Sequence, residues 1–113
     1  MLMIIKDEIS KGAVAFIALC IKHNVKYLYA FGSSVSDRFN HTSSDIDLIV
    51  EIEDKDPIER GEKLLSLWDT FEIFFHRKVD LLTESSIKNP FLKKNIDATK
   101  VLVYDGSTQK ILV

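Results

Sequence analysis

One cysteine, two prolines and four glycines among 113 residues exclude several classes of protein at once. The lone thiol, Cys20, permits no internal disulfide. Set in an apolar stretch, it reads as a small buried hydrophobe in a protein of a reducing, cytoplasmic setting. With so little proline and glycine there is no flexible linker, and neither a repeat nor a low-complexity tract is present. Long hydrophobic runs are missing too. Ala13 to Ile21 is about half of the ~20 residues that a membrane span requires, and Lys22 and His23 close it. Asp7 and Glu8 interrupt the place where a signal peptide would be continuously apolar, so no export and no membrane contact are expected. Excess positive charge is likewise absent: 15 Lys and Arg stand against 17 Asp and Glu, a formal net charge of −2. Such a chain has no broad basic surface for gripping a nucleic-acid backbone unaided, so direct nucleic-acid binding is not expected.

What is present is enough apolar material for a core. At 46% hydrophobic residues, the sequence fits one domain over residues 1–113. Ile5, Ile9, Ala13, Phe16 and Cys20 recur every three or four residues and predict a helix over about 4–22. Val25 to Phe31 predicts a strand, with Val25, Tyr27, Tyr29 and Phe31 alternating against Lys26, Leu28 and Ala30. After a polar loop from Ser33 to Ser44, "DIDLIVEI" predicts a strand with Ile46, Leu48, Val50 and Ile52 on one face. Asp45, Asp47, Ile49 and Glu51 take the other face. Asp56 and Pro57 open a second helix, marked by Ile58, Leu65, Trp68 and Phe75 at helical intervals. "KVDLLT" is a short strand, Asn89 and Pro90 start a third helix, and "KVLVYDG" is a last strand stopping at Gly106. The order α-β-β-α-β-α-β predicts an α/β (α+β) fold, one mixed sheet with helices packed mainly on one face.

The chemistry concentrates in "FGSSVSDRFNHTSSDIDLIV". Aspartates at i and i+2 of a strand point the same way, so Asp45 and Asp47 present two carboxylates on one face. That pair is repulsive until a divalent cation with oxygen ligands turns the cost into affinity. A bare Asp-x-Asp is more often a solvated edge strand whose charge discourages aggregation. Here it follows Gly32 and Ser33 at a strand end, where glycine lets backbone approach a ligand and the serine hydroxyl and neighbouring amides suit phosphate oxygens. Asp80 in "KVDLLT" adds a third acid borne on a strand.

Together, "GSSVSDRFNHTSSDIDLIV" and "RKVDLLT" resemble the nucleotidyltransferase superfamily of DNA polymerase beta. More closely they resemble its minimal nucleotidyltransferases, whose pattern is Gly-Ser, a spacer, Asp-x-Asp and a later third Asp. The likeness runs from about Tyr27 to Tyr104. It implies that Asp45, Asp47 and Asp80 are catalytic and hold Mg²⁺, with two ions expected, and that the substrate is ATP or another nucleoside triphosphate. Two hard cations ~3.5–4 Å apart would grip the triphosphate and lower the pKa of the attacking hydroxyl. Asp80 then either accepts that proton or holds the metal that makes the hydroxyl acidic. By the same resemblance Gly32, Ser33, Ser34, Arg38 and Ser44 bind the nucleotide. Minimal nucleotidyltransferases are commonly paired with small helical HEPN proteins, so the likeness implies an antitoxin that transfers AMP from ATP to an RNase toxin. Two alternatives keep the fold: a non-catalytic antitoxin or binding subunit, and a nucleotide-sensing domain. A homo-oligomer is left open.

One position departs from the pattern. Ser36 stands where many relatives carry a basic residue, and Arg38 follows in a loop one residue longer than usual. Arg38 is either the replacement phosphate contact or an ordinary surface arginine. His41 in the loop reads as solvated, and His23 and His76 as cations favoured at helix C-termini. Trp68, Phe71, Phe74 and Phe75 exceed what one helix is expected to bury against one sheet, so part of the cluster is expected to form a partner or dimer contact.

Overall fold

The computed structural model describes residues 2–32 and 45–113. The loop from Ser33 to Ser44, with Ser33, Ser34, Ser36, Arg38, His41 and Ser44, lies outside the described residues. The elements are α1 (Leu2–Ser10), α2 (Ala13–Lys22), β1 (Val25–Phe31), β2 (Ile46–Ile52), α3 (Pro57–Phe75), β3 (Val79–Leu82), α4 (Pro90–Thr99), β4 (Val101–Asp105) and β5 (Lys110–Ile111). A 3₁₀ turn, Glu84–Ser86, follows β3. The strands form one sheet in the order β3-β2-β1-β4-β5. Among the described residues, β2 and β3 pair in parallel and the other neighbours are antiparallel. Among the described residues no helix is long and apolar enough to cross a membrane.

The two proline-led helix starts form as expected. Asp56 caps α3 by accepting from the Ile58 N–H at 2.9 Å, and Asn89 caps α4 by accepting from Phe91 N–H at 2.9 Å and Leu92 N–H at 3.3 Å. The first helix, by contrast, breaks in two at Lys11 and Gly12. Glycine is a poor helix-interior residue, and a Cβ on Gly12 would stand 3.1 Å from the Phe74 ring. The bend therefore lets the chain press against α3 while Ile5 and Ile9 of α1 and Phe16 and Cys20 of α2 still reach one core.

Period-two alternation divides the sheet between two cores. Leu28, Ala30, Ile46, Leu48, Val50, Ile52, Val79, Leu81 and Val103 join the core built with α1, α2 and α3. Phe31 and Ile49 point to the other face, where Ile96 of α4 covers them and Tyr29, Leu82 and Ile87 pack around. Val25 leaves the expected company of Tyr27 and Tyr29, because a bulge between Val25 and Tyr27 turns it toward the helices. Burial in this core pushes the Cys20 thiol up to about 12, so the residue stays a protonated small hydrophobe.

The aromatic surplus of α3 is absorbed inside the molecule. Phe71 and Phe75 are buried, while Trp68 and Phe74 are half-buried against the core. The premise that one helix has only the sheet to bury these rings against does not hold, because α2 supplies a second wall: Phe16 lies 5.8 Å from Phe71, 5.4 Å from Phe74 and 6.3 Å from Phe75. The buried stripe of α3 is Leu67, Phe71 and Phe75, and Ile58 and Leu65 are exposed. Ile58 precedes Leu67 by nine residues, about two and a half turns, which puts it on the opposite side of the helix. His23 stands at the C-cap of α2, as the sequence placed it. It is buried, its Nδ1 donates to the Leu19 carbonyl at 2.7 Å, and its Nε2 lies 2.9 Å from the Ser66 hydroxyl, tying α2 to α3.

Phe16 meets four aromatic rings, Tyr104 included, and is fully buried. Phe16→Ala should cost about 3–5 kcal/mol of unfolding free energy in urea denaturation, whereas Phe91→Ser, at a side chain 78% exposed, should stay within about 0.5 kcal/mol.

Candidate functional site

Two neighbouring strands, β2 and β3, bring Asp47 and Asp80 side by side. In the antiparallel pairing of β1 with β2, Phe31 stands opposite Asp47; in the parallel pairing of β2 with β3, Asp47 stands beside Asp80. Neighbouring strands lie about 4.8 Å apart, so residues in register on one face are side by side. Asp47 and Asp80 share the sheet face of Ile49 and Leu82, away from α1, α2 and α3. Asp45 directly precedes β2, two residues before Asp47 and therefore toward the same side. Asp45 and Asp47 are half-buried and Asp80 is exposed.

Gly32 closes this corner. Its φ is +62°, a left-handed conformation in which a side chain is strained, and a Cβ there would lie 2.7 Å from the Asp47 Oδ2. The residue is thus glycine for two separate reasons, backbone conformation and close approach to a carboxylate. The sequence placed Gly32 at a strand end near a ligand; its contact with Asp47 appears only in the fold.

Carboxylate oxygens are the donors that hard divalent cations prefer, so the chemistry of Asp45, Asp47 and Asp80 suits an Mg²⁺-type ion, and Gly32 approaches the Asp47 carboxylate closely because it has no side chain. Asp47 and Asp80 are placed as a pair with Asp45 adjacent. Among the described residues, no three His, Cys, Asp or Glu side chains, Asp45, Asp47 and Asp80 included, are gathered closely enough to hold a metal ion together. Of the nucleotide-binding set, Gly32 is at the site, and Ser33, Ser34, Arg38 and Ser44 lie outside the described residues.

A cleft of about 540 Å³ lies away from these acids. It runs between Val50, Glu51 and Ile52 at the far end of β2, Arg60, Gly61 and Leu64 of α3, and the turn after β3. Parallel strands β2 and β3 begin at the acids and end at this cleft, so the two are at opposite ends of the sheet.

The family model for polymerase beta nucleotidyltransferases matches residues 16–109. The chain belongs to this family. This nucleotidyltransferase is 35% identical over 82 residues, 73% of the chain and 80% of the relative, to a Methanocaldococcus jannaschii protein described as a candidate protein adenylyltransferase. A second protein of that organism and description is 34% identical over the same shares. Among solved structures, a candidate minimal nucleotidyltransferase superposes with a TM-score of 0.58 at 22% identity, covering 84% of this chain and 92% of its own. A toxin-antitoxin structure with AMP-PNP superposes with a TM-score of 0.55 at 22% identity, covering 87% of this chain and 80% of its own. Both share the nucleotidyltransferase fold.

Two glycine substitutions should move stability in opposite directions. Gly32→Ala should destabilise by about 1–2 kcal/mol from the left-handed backbone alone. Gly61→Ala, inside α3 with nothing within 4 Å of the added methyl, should stabilise by about 0.5–1 kcal/mol. Urea denaturation of both variants beside the parent chain reads the difference.

Proposed function

We propose that this nucleotidyltransferase transfers AMP from ATP, with Mg²⁺, to a partner protein, and that the partner is a small helical HEPN-type toxin silenced by the transfer. The observation that carries the reading is the register of Asp47 beside Asp80, with Asp45 adjacent and Gly32 packed on the Asp47 carboxylate. Relatives described as candidate protein adenylyltransferases and a toxin-antitoxin neighbour holding AMP-PNP support it. Residues 1–113 act in this reading as one minimal nucleotidyltransferase domain.

In this mechanism Asp45, Asp47 and Asp80 hold the metal by their carboxylate oxygens. The bound cations supply Lewis acidity at the phosphates and at the attacking hydroxyl. Gly32 lets the chain's backbone lie close to the triphosphate, and Ser33, Ser34, Arg38 and Ser44 of the loop take its oxygens. A hydroxyl of the acceptor protein bonds to the α-phosphorus as the bond to pyrophosphate breaks. Asp80, exposed at the open edge of the sheet, faces the incoming acceptor and receives its proton or orients it.

Asp47→Asn preserves shape and removes one charge from the crowded corner. Two like charges ~4 Å apart repel by about 1 kcal/mol in water, so the metal-free variant should melt slightly higher than the parent chain. The stabilisation gained on adding Mg²⁺ with ATP should shrink or vanish. Transfer, followed by intact mass of a HEPN-type partner incubated with ATP and Mg²⁺, should fall by at least about a hundredfold. A variant that keeps both the Mg²⁺-dependent melting shift and the mass addition overturns the reading. A parent chain that binds Mg²⁺ and ATP but adds no mass to the partner points to neutralisation by contact.

A further inference from the structure

Among the described residues, strand β3 is a sheet edge, hydrogen-bonded to β2 on one side. In a parallel ladder one residue of each bridged pair bonds to both neighbours of the other. Here Ile46 is paired with Val79 and its N–H donates to the carbonyl of Lys78 at 3.1 Å, so the N–H and C=O of Val79 face outward from the sheet. Both are taken by side chains of α3. The Val79 N–H donates to Glu72 Oε2 at 2.9 Å, and the indole Nε1–H of Trp68 donates to the Val79 carbonyl at 2.6 Å. Trp68 and Glu72 are four residues apart and so lie on one face of the helix. They occupy the place of the missing neighbour strand, at the residue directly before Asp80.

We infer that Trp68 and Glu72 are positioning residues for Asp80, gripping the backbone of Val79 from the free edge so that the third carboxylate stays in register with Asp47. The inference rests on the proposed reading of Asp80 as a metal-holding acid. The Val79 side chain is buried in the core beneath the sheet, and Asp80 points to the opposite face. A grip on Val79 therefore reaches Asp80 through one peptide unit without touching the site itself. Without that grip the edge is held by β2 alone, and the four-residue strand is free to fray. An indole donor and a carboxylate acceptor, each facing an outward backbone group, also block further strand addition at that point.

The test uses Mn²⁺ binding in the presence of a non-hydrolysable ATP analogue, read by electron paramagnetic resonance, together with amide hydrogen exchange and melting curves. Trp68→Phe keeps a ring and removes the donor; Glu72→Ala removes the acceptor; Glu72→Gln keeps an acceptor oxygen. Trp68→Phe and Glu72→Ala should each weaken Mn²⁺ binding on the order of tenfold, the scale of losing a group that orients a ligand. Exchange at Val79 to Leu81 should quicken. Glu72→Gln should restore both, and Ile73→Ser, at an exposed position of the same helix, should leave both alone. Asp80→Asn is measured in parallel. If it weakens Mn²⁺ binding while Trp68→Phe and Glu72→Ala do not, the positioning role is overturned and the reading of Asp80 stands. If Asp80→Asn leaves Mn²⁺ binding unchanged, the reading of Asp80 falls, and the inference with it.

Discussion

Everything at the acidic corner depends on the parallel register of β2 with β3. Ile46 with Val79, Asp47 with Asp80, Leu48 with Leu81 and Ile49 with Leu82 form one ladder, and side chains alternate along it. A slip of one residue would turn Asp80 toward the helices and bring Val79 out. Buried Val79 and Leu81 on one face make that slip costly, at roughly 1.5–3 kcal/mol for each large apolar side chain exposed. Core packing on one side of the sheet thus holds Asp47 and Asp80 side by side on the other.

The same division explains how a small chain carries a cluster of like charges. The face toward α1, α2 and α3 is apolar throughout, with Phe16 among Phe71, Phe74, Phe75 and Tyr104. Among the described residues, the face with the acids is covered by α4 through Ile96. Asp80 at its edge remains exposed, where water screens its charge. The apolar packing is concentrated on the face away from the acids, and Asp80 lies where solvent reaches it.

The polymerase beta family membership accounts for the acids and the glycine together. In the proposed reading, a phosphoryl-transfer site needs carboxylates for hard cations and close backbone approach for phosphates, and Gly32 against Asp47 would join the two requirements in one contact. The cleft between α3 and the turn after β3 has neither an acid triad nor a glycine turned to positive φ, and it lies at the other end of the strands.

Much was legible in the sequence because it was local. Alternation along "DIDLIVEI" separated Ile46, Leu48, Val50 and Ile52 from Asp45 and Asp47, and Asp56-Pro57 and Asn89-Pro90 announced two helices through capping chemistry that needs only adjacent residues. Gly-Ser, Asp-x-Asp and a distal Asp were visible as a set by resemblance. What the sequence could not show was long-range. The helix break at Gly12 depends on Phe74, the burial of the aromatic surplus depends on α2, and His23 is held by Ser66 forty-three residues away. The pairing of Asp47 with Asp80, and the grip of Trp68 and Glu72 on Val79, exist only once β3 docks beside β2 and under α3. Periodicity and capping are properties of neighbours along the chain, whereas register and close approach are decided by packing between segments that the chain order leaves far apart.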